Sequence, residues 1–168
     1  QCLDTMKYSR DTARNWSGKA AELDALIKKQ IGDIKDIGAT CVALGTAYNE
    51  EFTPFLAKWV AAARQAGLNI WFRGNFAEWE GWFNYPLFTN YNDHHQFTYN
   101  FITKHPDFFM PGDIFTPAPE AENGVIGNPW ASLTARQNLL NFLTVSYDTC
   151  VRAFAAINKQ ISCGYFST

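Results

Sequence analysis

Gly112–Gly124 reads GDIFTPAPEAENG. Asp113-Ile114-Phe115-Thr116 has the length and apolar character of a short buried strand, and Pro117 and Pro119 break it. Glu120 and Glu122 follow two residues apart, closed by Asn123 and Gly124. An extended segment puts residues i and i+2 on one side, so the spacing predicts two carboxylates facing one cavity. The elements on either side decide what fold carries this strand.

Upstream, Cys2–Met6 reads as a short strand, followed by the polar run Lys7 to Asp11. From about Lys19 to Ile37 the apolar residues Leu23, Leu26, Ile27, Ile31, Ile34 and Ile37 step by three and four, the period of a helix with one buried stripe. Gly38 is a natural left-handed stop. Thr40–Leu44 is an unalternated apolar run, as in a strand covered on both faces. A second helix starts near Asn49 with Pro54 in its first turns, carries Phe55, Leu56, Trp59, Val60 and Ala63, and ends at Gly67. Leu68–Arg73 is the third strand. A third helix spans about Asp93–Lys104, with Phe97, Phe101 and Ile102 expected on its inner face, and His105-Pro106 ends it.

Downstream of the opening stretch, a helix is predicted over roughly Ser132–Lys159 and a fifth strand over Ile161–Phe166. Strict alternation of strand and helix predicts right-handed crossovers and a parallel sheet. The expected fold class is therefore α/β, a single domain over residues 1–168 made of parallel (β/α) units. About four and a half units fit, a partial (β/α)8 TIM barrel, since a complete barrel takes about 250 residues. An open doubly wound sheet is the other arrangement of this length. Polar residues gathered at strand ends, and no Gly-rich loop after strand 1, favour the barrel. An open half barrel exposes strand edges and apolar surface, so self-association or the remainder of a longer chain is expected to cover them.

Composition narrows the partners. The chain has 168 residues, 47% hydrophobic and 18% charged, which describes a globular domain. A net charge of −2 without any basic run argues against nucleic acid. No apolar run reaches the roughly 18 residues of a membrane-spanning segment. Cys2, Cys41, Cys150 and Cys163 form no CxxC pair, and three of them fall in predicted buried strands. That placement favours free thiols, while the even count leaves disulfides open. The compartment, extracellular or cytoplasmic, is not decided.

The candidate chemistry lies after strands 3 and 4. Residues 74–92, GNFAEWEGWFNYPLFTNYN, form a loop longer than the roughly 12–15 residues usual without a functional reason. Trp79, Trp82 and Tyr85 in it offer flat apolar faces with polar edges, as for stacking on sugar rings; packing of the loop onto the rim is the structural alternative. Arg73 and Asn75 end strand 3, where Arg73 binds either a substrate or a structural partner, Asp113 or Glu120. Asp4 and Lys7 end strand 1, and Tyr48 and Asn49 end strand 2. His94 and His95 open a helix where neighbours point apart, so they read as helix-end polar residues and not as metal ligands. No GxSxG, P-loop or GxGxxG occurs, and no metal or cofactor is implied.

The stretches Asp4–Asp11, Trp71–Phe76, Trp79–Phe83 and Gly112–Gly124 together resemble the N-terminal half of a glycoside-hydrolase-like TIM barrel, closest to uncharacterised bacterial proteins of that type. More distantly the layout is similar to the clan of retaining glycosidases whose acid/base glutamate ends strand 4 and whose nucleophile ends strand 7. The resemblance implies a glycosidase acting on an oligo- or polysaccharide. It implies Glu122 as general acid/base with Glu120 in reserve, although the clan's Asn-Glu order is here Glu122-Asn123. It also implies a nucleophile beyond Thr168; the expected substrate-binding residues, from their places at strand ends and in the loops after them, are Arg73, Asn75, Trp79, Trp82, Tyr85, Asn123, Asp4 and Lys7. The alternative is a non-catalytic carbohydrate-binding or surface-structural protein on the same scaffold.

Overall fold

The computed structural model describes residues 1–5, 9–75, 90–123, 126 and 128–165. Five strands, β1 (Cys2–Asp4), β2 (Cys41–Ala47), β3 (Asn69–Asn75), β4 (Ile114–Thr116) and β5 (Ser162–Cys163), alternate with four helices. The helices are α1 (Ala20–Asp36), α2 (Thr53–Gln65), α3 (Tyr91–Lys104) and α4 (Leu133–Ala156). The strands form one sheet in the order β1-β2-β3-β4-β5, and every neighbouring pair is parallel. Because the order never reverses, the sheet has no switch point of the kind that defines doubly wound folds.

The helices form where the apolar period runs. Leu23, Ile27, Ile31 and Ile34 are buried on α1. Ile37, expected to extend that stripe, is 71% exposed, because the helix ends at Asp36 and Gly38 turns the chain with φ +82°. Phe55, Leu56, Trp59, Val60 and Ala63 are buried on α2. On α3 the buried face is His94, His95, Thr98, Phe101 and Ile102, while Phe97 is 38% exposed, which corrects its predicted inward placement. Asn90 caps that helix by accepting from Asn92 N at 3.0 Å, and Ser132 caps α4 from Ala135 N at 3.0 Å. On α4 Leu139, Phe142, Ser146, Cys150, Ala153 and Phe154 are buried, and Leu140 and Val151 are exposed.

All seven residues of β2 are buried. Alternation sends Val42 and Leu44 to one side, with Ile70 and Phe72 of β3 and Phe115 of β4 at matching register. These five share a single core with the helical stripes. The opposite face carries Cys41, Ala43 and Gly45, then Trp71 and Arg73, then Ile114 and Thr116. At the amino end of the sheet the buried Asp113 accepts from both Arg64 Nη atoms, from Ile70 N at 2.9 Å and from Met110 N at 2.8 Å. Asp113 is thus the partner of Arg64 and not of Arg73.

The cysteines correct the expectation of free thiols. Cys2 and Cys41 are register partners on neighbouring strands, their Cα atoms 4.3 Å apart, and they form a disulfide. Cys150 and Cys163 form a second, joining α4 to β5. The apolar surroundings that suit a buried thiol suit a buried disulfide equally, and only the register distinguishes them.

Candidate functional site

Parallel strands bring their carboxyl ends to one edge, where Asp4 of β1, Arg73 of β3 and the start of the segment after β4 meet. Arg73 lies opposite Gly45 in the β2–β3 register, and Asp4 lies opposite Ala43. Because these β2 residues have little or no side chain, the guanidinium can pass over β2 to β1. Arg73 Nη1 donates to Asp4 Oδ2, and Nη2 donates to Glu120 Oε1 at 3.4 Å. Its guanidinium carbon lies 5.4 Å from the centre of the Trp71 ring, within cation–π range. Trp71 Nε1 in turn donates to Thr116 Oγ1 at 2.8 Å. The Arg73 side chain is 7% exposed, against 43% for Asp4 and 31% for Glu120. A buried cation thus holds two carboxylates that still reach solvent.

The loop carrying Glu120 is fixed from below. Thr116 to Pro119 are buried. The Pro117 carbonyl accepts from the Tyr48 hydroxyl at 3.1 Å, and His94 Nε2 lies 3.0 Å from the same oxygen. Burial holds the His94 ring down at about 3, so it is neutral at physiological pH and Nε2 carries the proton that the carbonyl accepts. Burial likewise raises the Tyr48 hydroxyl above its usual range, keeping it a donor. Gly74 makes this possible: a Cβ there would collide with the Tyr48 hydroxyl and come within 2.9 Å of the Thr116 carbonyl. Glu120 itself has φ +55°, a left-handed conformation that costs a non-glycine residue about 1–2 kcal/mol. The Pro117 anchor and the Arg73 bond compensate for it.

Arg73, Asp4 and Glu120 of the predicted residues come together. Glu122 is half-buried in a single 3₁₀ turn, Ala121–Asn123. The segment is therefore turned rather than extended, with Glu120 at φ +55° just before it. Asn75 ends β3 opposite Ala47, and Asn123 ends the 3₁₀ turn. The side chains of Asn75 and Asn123, and all of Lys7, Trp79, Trp82 and Tyr85, lie outside the described residues. His94 and His95, read from sequence as helix-end polar residues, are instead buried against Phe142. Tyr48 was placed from sequence only by its position at the end of strand 2, and His94 was read as a helix-end residue; for His94 the available signal was the spacing His94, Thr98, Phe101, a helical stripe that a polar first residue hides.

A groove of about 660 Å³ opens beyond Tyr48, between the connection from β2 to α2 and the helix α3. Arg73, Asp4 and Glu120 do not line it. Among the described residues, no group of three or more His, Cys, Asp or Glu is arranged to hold a metal. No described helix is long and apolar enough to cross a membrane. Compared with known proteins, the chain matches no protein-family model and no curated protein sequence.

Proposed function

We propose that this chain supplies strands 1–5 of a (β/α)8 barrel of glycoside-hydrolase type, acting on an oligo- or polysaccharide at its carboxyl edge. The observation that carries the reading is Arg73, which gathers Asp4 from β1 and Glu120 from the β4 loop at that edge. The unreversed strand order supports the barrel, since parallel units added in one direction curve toward closure. Planar carboxylates and a guanidinium beside Trp71 suit sugar hydroxyls, which donate and accept at once. The two disulfides further support work in an oxidising compartment.

In this reading Glu122 is the general acid/base, protonating the glycosidic oxygen as the bond breaks. A retaining reaction needs a second carboxylate about 5–5.5 Å away, which strand 7 provides in such barrels. Asp4 and Glu120, both bound to Arg73, orient the substrate and do not transfer the proton. Removing a general acid costs about 10²-fold or more in turnover. In the full-length protein Glu122→Gln is therefore expected to lose glycan hydrolysis by that factor and keep substrate affinity. Full activity in Glu122→Gln with loss in Glu120→Gln would move the role to Glu120.

A second reading, a non-catalytic carbohydrate-binding protein, is favoured by the engagement of Glu120 with Arg73. A carboxylate held that way acts as a hydrogen-bond acceptor. Binding without turnover on any glycan would select it.

A further inference from the structure

We propose that the hollow between α3 and α4 is a binding site for a small carboxylate with an apolar body. It needs neither the barrel nor Glu122, and none of its lining residues belongs to the cluster of Asp4, Arg73 and Glu120. Two adjoining hollows of about 370 and 250 Å³ lie between these helices and share Asn92, His95 and Val145. The larger falls within the range of small-molecule sites.

His95 stands where the two hollows join. It is 9% exposed, and its Nδ1 lies 3.3 Å from Ser146 Oγ on α4. Burial lowers the ring from its ordinary range, so at neutral pH it carries a single proton. Ser146 is fully buried, and among the described residues its hydroxyl has that Nδ1 as its hydrogen-bond partner. The arrangement that satisfies both groups has the hydroxyl donating to Nδ1, which puts the ring proton on Nε2. Nε2 keeps accessible surface and meets no partner among the described residues. The ring therefore offers the hollows an N–H donor. Ser146 lines neither hollow, so the pair is not a nucleophile with its base.

The second donor is Arg152, exposed on α4. It donates through Nη2 to Thr149 Oγ1 at 3.3 Å and pairs with no carboxylate among the described residues. Of the described residues lining the two hollows, Arg152 alone is charged at neutral pH. A carboxylate there meets a guanidinium and a neutral N–H, with no competing anion on the walls. An ammonium group would meet Arg152 with nothing to balance it. Val145, 44% exposed, lines both hollows and gives the body of the ligand an apolar wall.

The test titrates benzoate into the protein and follows the ring nitrogen signals of His95 by NMR, with benzyl alcohol and inorganic phosphate as comparison probes. The free protein is expected to show the Nε2–H tautomer, and benzoate to shift Nε2 saturably with a Kd on the order of 1 mM. Arg152→Ala should weaken binding about tenfold or more, Arg152→Lys should recover part of it, and Glu122→Gln should leave it unchanged. Arg152 is exposed, so a thermal melt of Arg152→Ala should match the wild type. An unshifted ring up to about 20 mM benzoate, or wild-type affinity in Arg152→Ala, would overturn the site. An Nδ1–H tautomer in the free protein would overturn the donor assignment and the site with it. Benzyl alcohol binding as tightly as benzoate would overturn it in favour of an apolar hollow, and tighter binding of phosphate in favour of an inorganic-anion site.

Discussion

Replacing Cys2 and Cys41 together by alanine removes a cross-link between residues 39 apart in sequence. In the chain-entropy account, freeing a loop of that length from the unfolded state's constraint costs the native protein about 4 kcal/mol. The Cys150–Cys163 bond, with a separation of 13, is worth about 3 kcal/mol on the same basis. For a domain of 168 residues, unfolding entropy at about 2.1 cal/mol/K per residue converts these to losses of about 11 and 8 °C in Tm. Alanine keeps the small volume at the buried Cys41 and Cys150, so packing loss adds little. The first pair has a local effect as well. β1 is three residues long, and Cys2 lies two residues before Asp4, the partner of Arg73. Urea unfolding of the wild type and the two double variants, with and without a thiol reductant, checks the figures. Four titratable thiols in the native protein, or a loss below 1 kcal/mol in the Cys2/Cys41 variant, would contradict the disulfide assignment and its stabilising role.

Two further predictions concern the buried ionisable groups. Asp113→Ala leaves the Arg64 guanidinium and two backbone N–H groups without their acceptor, and should cost about 3–5 kcal/mol in urea unfolding. Stability should also fall with pH. Below 6.5 the unfolded chain protonates His94 while the folded chain resists until about 3, so acid favours unfolding across that window. His95, also lowered by burial, adds in the same direction. From pH 6.5 to 4.5 the loss from His94 should be about 2–3 kcal/mol, and His94→Gln should flatten the slope. An unchanged slope in that variant would contradict the assignment.

The parallel sheet was legible because each helix repeats at three and four and each strand runs unalternated between Gly stops, as at Gly38 and Gly67. Arg73 at the end of β3 was legible from position alone. Its partner Glu120 was named from sequence; its partner Asp4 was not, since it lies 69 residues away and meets Arg73 only because Gly45 and Ala43 leave β2 bare. The pairing of Cys2 with Cys41 depends on register, which apolar runs do not encode. The inward face of α3 was misread because two of its buried residues are histidines, and Phe97 is the more apolar neighbour. The turn at Ala121–Asn123 was not legible because period two was carried past Pro117 and Pro119 into a segment that is not extended.

The most direct test of the carboxyl-edge site is an NMR titration with neutral hexasaccharides of β-1,4-glucan, β-1,3-glucan and β-1,4-mannan, read at the Arg73 Nε–H and Trp71 indole N–H signals. Both groups belong to the cluster formed by Asp4, Arg73, Glu120 and Trp71. At least one sugar is expected to shift both signals saturably, and Arg73→Ala to abolish the response at Trp71. Signals that stay fixed for every sugar, in a protein that remains folded, would contradict it.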